Sequence, residues 1–95
     1  MDGWTVKDRA GREIYLTGER WQHIVSRHRV LAGHLGDVLS TLRLGHRWQD
    51  ALQPFKYFYH RRCKTLPGYY DSITVVVLYQ GDNRYVVTAW PEVEE

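Results

Sequence analysis

The segment from Thr17 to His28 constrains what this chain can fold into more than any other. Trp21, Ile24, Val25 and His28 recur at i, i+3, i+4 and i+7, the spacing of one helical face, while Arg20, His23 and Arg27 fall on the flank and far side. Thr17 is placed to cap the helix, and Glu19 lies in the first turn, where a carboxylate meets the positive end of the helix dipole. The expectation is an amphipathic helix whose polar side is basic. Such a helix needs a surface on which to bury its stripe, so the remaining segments are read for what they supply.

Trp4 to Lys7 and Arg12 to Leu16 alternate weakly around an Asp8-Arg9-Ala10-Gly11 turn, which predicts an N-terminal hairpin leading into the helix. Leu35, Val38, Leu39 and Leu42 repeat at helical spacing before Gly45, a candidate C-cap, and predict a second helix that packs beside the first. Beyond it the period changes. Phe55 to Arg62, Ile73 to Tyr79 and Tyr85 to Trp90 read as strands, the last two joined by a tight connection at Gln80-Gly81-Asp82-Asn83, and a further short strand lies around Arg47 to Leu52. The expected fold is α+β: an N-terminal hairpin and two helices packed on one face of an antiparallel sheet of about four strands, with residues 1–95 forming a single domain.

With no third helix to cover it, the other face of the sheet is expected to be open for a ligand. Alternation separates Phe55, Tyr57, Tyr59 and Arg61 from Lys56, Phe58, His60 and Arg62, and each set holds a cation and an aromatic, so either could face outward. On the last strand Val86, Thr88 and Trp90 fall on one side and Tyr85, Val87 and Ala89 on the other.

Charge is unevenly spread. Arg20 to Lys64 holds nine Lys/Arg against only Asp37 and Asp50, together with all five His, whereas the rest of the chain carries four cations against nine acids and ends in an acidic tail. A basic middle of this kind suits an anionic partner, nucleic acid first. Four Trp, seven Tyr and two Phe argue against disorder, and a chain of 95 residues can bury roughly 65% of its unfolded surface. Cys63 is the single cysteine and no Cys/His set has zinc spacing, so neither a disulfide framework nor a metal staple is indicated. No signal-like or membrane-spanning run is present, and a cytoplasmic setting is expected.

His, Arg, Tyr and Thr without a dense acidic or thiol cluster point to metal-free work on a phosphodiester, with no cofactor. RNA carries its own nucleophile in the 2′-hydroxyl. A protein that cleaves it needs a group to remove that proton, one to protonate the leaving oxygen, and cations or hydroxyls to steady the phosphate.

The string Leu16-Thr17-Gly18-Glu19-Arg20-Trp21-Gln22-His23-Ile24, followed by Arg27-His28, then a short helix, the strand Tyr57-Phe58-Tyr59-His60-Arg61 and a final strand Val86-Val87-Thr88-Ala89-Trp90, resembles the phage-associated and toxin-like nucleases of the barnase, EndoU, colicin and RelE-like fold, over most of residues 14 to 90. The resemblance implies a small metal-independent ribonuclease active on the exposed side of its sheet. By position it implies His23 or His28 as the helix histidine, Arg61 as the strand cation and Thr88 as the last-strand hydroxyl, with Arg27, Lys56, Tyr59, His60, Arg62 and Trp90 as substrate-binding candidates. His60 and Arg62 flank Arg61, a departure from a clean match that leaves the identity of the cation open.

RNA is the expected partner, with an antitoxin or immunity protein as a second one. Each candidate also has a structural reading: His28 as a core histidine, His23 as a solvent-exposed one, Arg61 and Lys56 as edge-strand charges, Thr88 as a β-former, Tyr59 and Trp90 as packing residues. The competing functional class is a catalytically silent module that binds nucleic acid or an acidic protein on the same face.

Overall fold

The structure, a computed structural model, describes residues 2–94. Strands β1 (Gly3–Lys7) and β2 (Glu13–Thr17) form the N-terminal hairpin, α1 (Gly18–Arg27) and α2 (Leu35–Leu44) follow with a single 3₁₀ turn at Arg29–Leu31 between them, and β3 (His46–Gln49), β4 (Lys56–Arg62), β5 (Ser72–Gln80) and β6 (Asn83–Glu92) complete the chain. The α+β class and the two helices on one sheet face agree with the sequence reading. The sheet, however, has six strands rather than about four, in the order β1-β2-β6-β5-β4-β3, and it is mixed rather than purely antiparallel. The difference lies in the hairpin, which is no separate appendage. Its second strand runs parallel to β6, in register only at Tyr15 and Tyr85. That pairing joins residues seventy positions apart, and no local pattern encodes it.

One core lies between the helices and the sheet. Ile14 and Leu16 of β2, Ile24 of α1, Leu31, Val38 and Leu42 of α2, Tyr59 of β4, Ile73, Val75 and Val77 of β5, and Val86 and Ala89 of β6 are buried in a single cluster. Burying a side chain of this size stabilises a fold by about 1.5–3 kcal/mol. Helix α1 rests on β1, β2 and β6, while α2 rests on β1, β4 and β5. The helices therefore share a sheet face without packing along one another as expected, and Leu31 of the intervening turn is buried in the same core. Helix α1 stops at Arg27, so His28 is its C-cap and not part of the helical stripe.

The strand alternation left open by the sequence is settled by register. Tyr59 and Arg61 pair with Val75 and Ile73 on the helix side, which leaves Lys56, Phe58, His60 and Arg62 on the open face. On β6 the simple alternation fails. A bulge between Val76 and Val77 opposes Val76 to Thr88 and Val77 to Val86, so Val86 joins Ala89 on the core side while Tyr85 joins Thr88 and Trp90 on the open side. Strand β6 also continues through Pro91, at a level where β2 no longer pairs with it.

The sheet curls until the β1–β2 turn reaches β4, three strands away in the sheet order. There the buried Asp8 carboxylate accepts the Tyr59 hydroxyl at 2.7 Å, the Arg12 guanidinium at 2.9 Å, and the backbone N–H groups of Ala10 and Arg12 at 3.0 and 2.9 Å. Burial alone would raise the Asp8 carboxyl, but the hydrogen bonds from Tyr59, Arg12 and Ala10 outweigh it and hold the group below the usual carboxylate range. Tyr59 is pushed the other way by burial and by its bonds to Tyr79 and Asp8, so its hydroxyl stays protonated as the donor.

Two stability experiments follow from these contacts. Because Asp8 ionises more readily folded than unfolded, its contribution is present above the unfolded pKa and is lost as pH falls through the folded one, from about pH 4 downward. Asp8→Asn should lose about 1–3 kcal/mol at pH 7, with the wild-type and variant denaturation midpoints converging on acidification. A second contrast concerns glycines around α2. Gly45 caps α2 in an extended conformation, not a left-handed one, and a Cβ there would stand 2.4 Å from the Thr41 carbonyl and 2.8 Å from that of His60. Gly45→Ala should destabilise by about 1–3 kcal/mol, whereas Gly36→Ala, inside α2 with nothing within 4 Å, should stabilise by about 0.5–1 kcal/mol in urea titrations.

Candidate functional site

Thr17 ends β2 and caps α1 at once: its hydroxyl accepts the Arg20 N–H at 2.9 Å, and the next amide, Gly18, donates to the Asp2 carbonyl at 2.7 Å. No linker separates strand from helix, so the first turn of α1 is held at the seam between β2 and β6. Along that seam, with one registered pair and the β6 bulge beside it, a groove of about 640 Å³ opens. Tyr15, Thr17 and Arg20 line one side, and Leu78, Asn83, Arg84, Tyr85, Val86 and Val87 the other. A depression of about 230 Å³, lined by Thr17, Glu19, Arg20 and His23, shares Thr17 and Arg20 with the groove. The two cavities meet at the start of α1.

The electrostatics of this place are basic. Neither Arg20 nor Arg84 has a carboxylate partner among the described residues. Arg84 lies 5.4 Å over the Tyr79 ring, donates through Nη1 to the Glu13 carbonyl at 3.4 Å, and has a buried Nε with no hydrogen-bond partner among the described residues. Tyr15 is 39% exposed, enough to offer a ring face. Glu19 and His23, one turn apart on α1, add a carboxylate and an imidazole beside these cations.

The residues expected to act together are distributed over three places. His23 is exposed at the depression, and Arg27 lies exposed one turn farther along α1. His28 is half-buried at the α1 C-cap, where its N–H donates to the Ile24 carbonyl at 2.8 Å and its own carbonyl accepts from Leu31 at 2.9 Å. Arg61 and Tyr59 face the helices, Arg61 standing 3.6 Å from Asp37 of α2. That Asp37 carboxyl is held low by the His34 hydrogen bond, against burial, with help from Thr65 and Cys63. Thr88, Lys56, His60, Arg62 and Trp90 share the open face, so Thr88 and Arg61 lie on opposite sides of the sheet.

That open face is an aromatic surface closed at one end by acids. Trp48 stacks on Phe58 at 5.4 Å and on His46 at 5.7 Å. The His60 imidazole meets Thr74 Oγ1 at 2.9 Å and Glu92 at 3.3 Å through Nδ1, and Glu94 at 3.4 Å through Nε2. Arg62 is paired with Asp71 at 3.1 Å and Glu94 at 3.6 Å. Glu92 and Glu94 thus fold onto the basic strand beside His60 and Arg62, while Lys56 on the same face has no carboxylate partner among the described residues.

Tyr15, Glu19, Arg20, Arg84 and Tyr85 are not among the candidate site residues that the sequence offers. Tyr15 had a usable signal, since Ile14 and Leu16 claim the core side of β2 and leave Tyr15 and Thr17 for the other. Arg84 and Tyr85 had none, because their role depends on the parallel β2–β6 pairing.

Among the described residues no helix is long and apolar enough to cross a membrane. No curated protein and no solved structure matches the chain. A family match does extend over residues 2–93, and by it the chain belongs to the family described as Domain of unknown function (DUF4751).

Proposed function

We infer that this domain is a metal-independent ribonuclease of the toxin-like kind, acting in the cytoplasm on RNA bound at the β2–β6 seam. The observation that carries the reading is the meeting of Glu19, Arg20 and His23 with the Tyr15, Arg84 and Tyr85 groove at one end of α1. Tyr15 and Tyr85 offer ring faces for bases, a mode of contact worth about 1–3 kcal/mol per base. Arg20 and Arg84 supply planar donor forks for a phosphate. The Glu19 carboxylate takes the 2′-hydroxyl proton, the 2′-oxygen attacks phosphorus, and the bond to the 5′-oxygen breaks. His23 protonates that leaving oxygen, and a 2′,3′-cyclic phosphate and a 5′-hydroxyl end result. The resemblance of the Leu16 to His28 string to the barnase, EndoU, colicin and RelE-like nucleases supports the same chemistry. It also motivates the proposal of an antitoxin or immunity partner.

A second reading, a silent RNA-binding module, is favoured by one observation: Arg61 and Thr88, which the resemblance pairs in catalysis, stand on opposite faces. Incubating the purified chain with mixed RNA in EDTA separates the two. The ribonuclease reading expects cleavage with cyclic phosphate ends, slowed about 10²–10⁴-fold by His23→Ala or Glu19→Gln and little changed by Arg61→Ala or Thr88→Ala. Salt-dependent RNA retention without cleavage establishes the binding module instead. Equal cleavage by the parent and the His23 and Glu19 variants overturns the assignment of the site.

A further inference from the structure

A second cationic place lies on the helix side of the sheet, beside Tyr79, on whose ring Arg84 of the seam also stacks. Arg47 of β3 stacks its guanidinium 4.6 Å over the Tyr57 ring, and Tyr57 in turn stacks on Tyr79 at 4.1 Å. Arg47 Nη1 donates to the Tyr79 hydroxyl at 3.3 Å. The Tyr79 and Tyr59 hydroxyls are 2.5 Å apart, and Tyr59 donates to Asp8. Donors therefore run in one direction, from Arg47 through Tyr79 and Tyr59 to Asp8. Asp8, already bonded by Arg12, is the acceptor at the end of that chain, so its charge is spent.

The consequence is an imbalance. A cavity of about 140 Å³ lies here, lined by Asp8, Arg9, Arg12, Arg47 and Tyr59 among others. Among the described residues Asp8 is the only carboxylate in its lining and is saturated with donors, while neither Arg9 nor Arg47 has an ion-pair partner. The face of the Arg47 guanidinium is occupied by the Tyr57 ring, which holds the plane fixed and leaves its N–H edge for an acceptor. A planar fork, with Arg9 lining the same cavity, suits a tetrahedral dianion.

We propose that this cavity binds a phosphoryl group, in the form of inorganic phosphate or the terminal phosphate of a nucleotide, with Arg47 and Arg9 as its ligands and the Asp8–Tyr59–Tyr79 chain as the support that positions Arg47. The cavity shares no lining residue with the seam groove, and the one link between them is Tyr79, on whose ring Arg84 of the groove also stacks.

Amide and arginine side-chain shifts of the full chain, titrated with inorganic phosphate at constant ionic strength, test it. Saturable shifts are expected at Arg9, Ala10, Gly45 and Arg47, and they should not be reproduced by chloride. Affinity should fall about tenfold or more in Arg47→Gln and Arg9→Gln, as the loss of a charge-assisted hydrogen bond implies, and be unchanged in Arg43→Gln on the exposed side of α2. Arg9 is exposed on a turn, so its variant decides the matter if Arg47→Gln does not fold. A 5′-phosphorylated RNA dinucleotide binding more tightly here than its 5′-hydroxyl form identifies a nucleotide end as the source, and equal shifts with phosphate alone identify the free ion. Shifts that never saturate, that chloride matches, or that survive both substitutions unchanged overturn the proposal.

Discussion

The hydrogen bond from Tyr59 to Asp8 is the closure on which the rest of this molecule depends. A flat six-stranded sheet would leave the hairpin at one edge with no contact to β4. Curling brings the hairpin turn across the helix side, and the bond at 2.7 Å fixes how far the curl goes. With the curl set, α2 is held between β1 on one side and β4 and β5 on the other. The carboxylate tolerates burial only because four donors surround it. Removing any of them exposes the cost of desolvation that they offset.

Charge in this chain is organised by folding as much as by sequence. The run of cations from Arg20 to Lys64 looks continuous when read along the chain. In space it separates into paired and unpaired groups. Arg61 is held by Asp37, and Arg62 and His60 by Asp71, Glu92 and Glu94. Arg20, Arg27, Arg29, Arg43, Arg47, Lys56 and Lys64 of that run, like Arg9 and Arg84 outside it, have no carboxylate partner among the described residues. Glu92 and Glu94 therefore take His60 and Arg62 out of the charge that is open to an anion.

Much of the fold was legible. Period 3.6 at Ile24 and at Val38 and Leu42, alternation at Ile14 and Leu16, and the β-branched run of β5 each place a buried residue where it lies. Thr17 as cap and Gly81-Asp82 as a two-residue turn were also readable, since both rest on chemistry within a few residues. What escaped was non-local. The parallel Tyr15–Tyr85 pairing, the curl and the β6 bulge arise from contacts between distant segments, and the bulge reverses the side on which Val86 and Tyr85 fall. The site suffered most, because its tyrosines and Arg84 come together only through that pairing. His28 was misplaced by a single residue of helix length, and the side of β4 on which Arg61 falls is one that its alternation leaves open.

Gly45 is the single residue between α2 and β3. It is pressed between the last carbonyl of α2's hydrogen-bonded turns and the backbone of β4, with no room for one more carbon. The joint between the helical and strand halves of the chain is thus a backbone-to-backbone contact with no side chain as a spacer. Such a contact has little compressible material in it, so displacement of α2 is passed to β4 at His60 without being absorbed. The helix layer and the open face of the sheet are mechanically coupled at that point, and strain introduced on either surface is felt on the other.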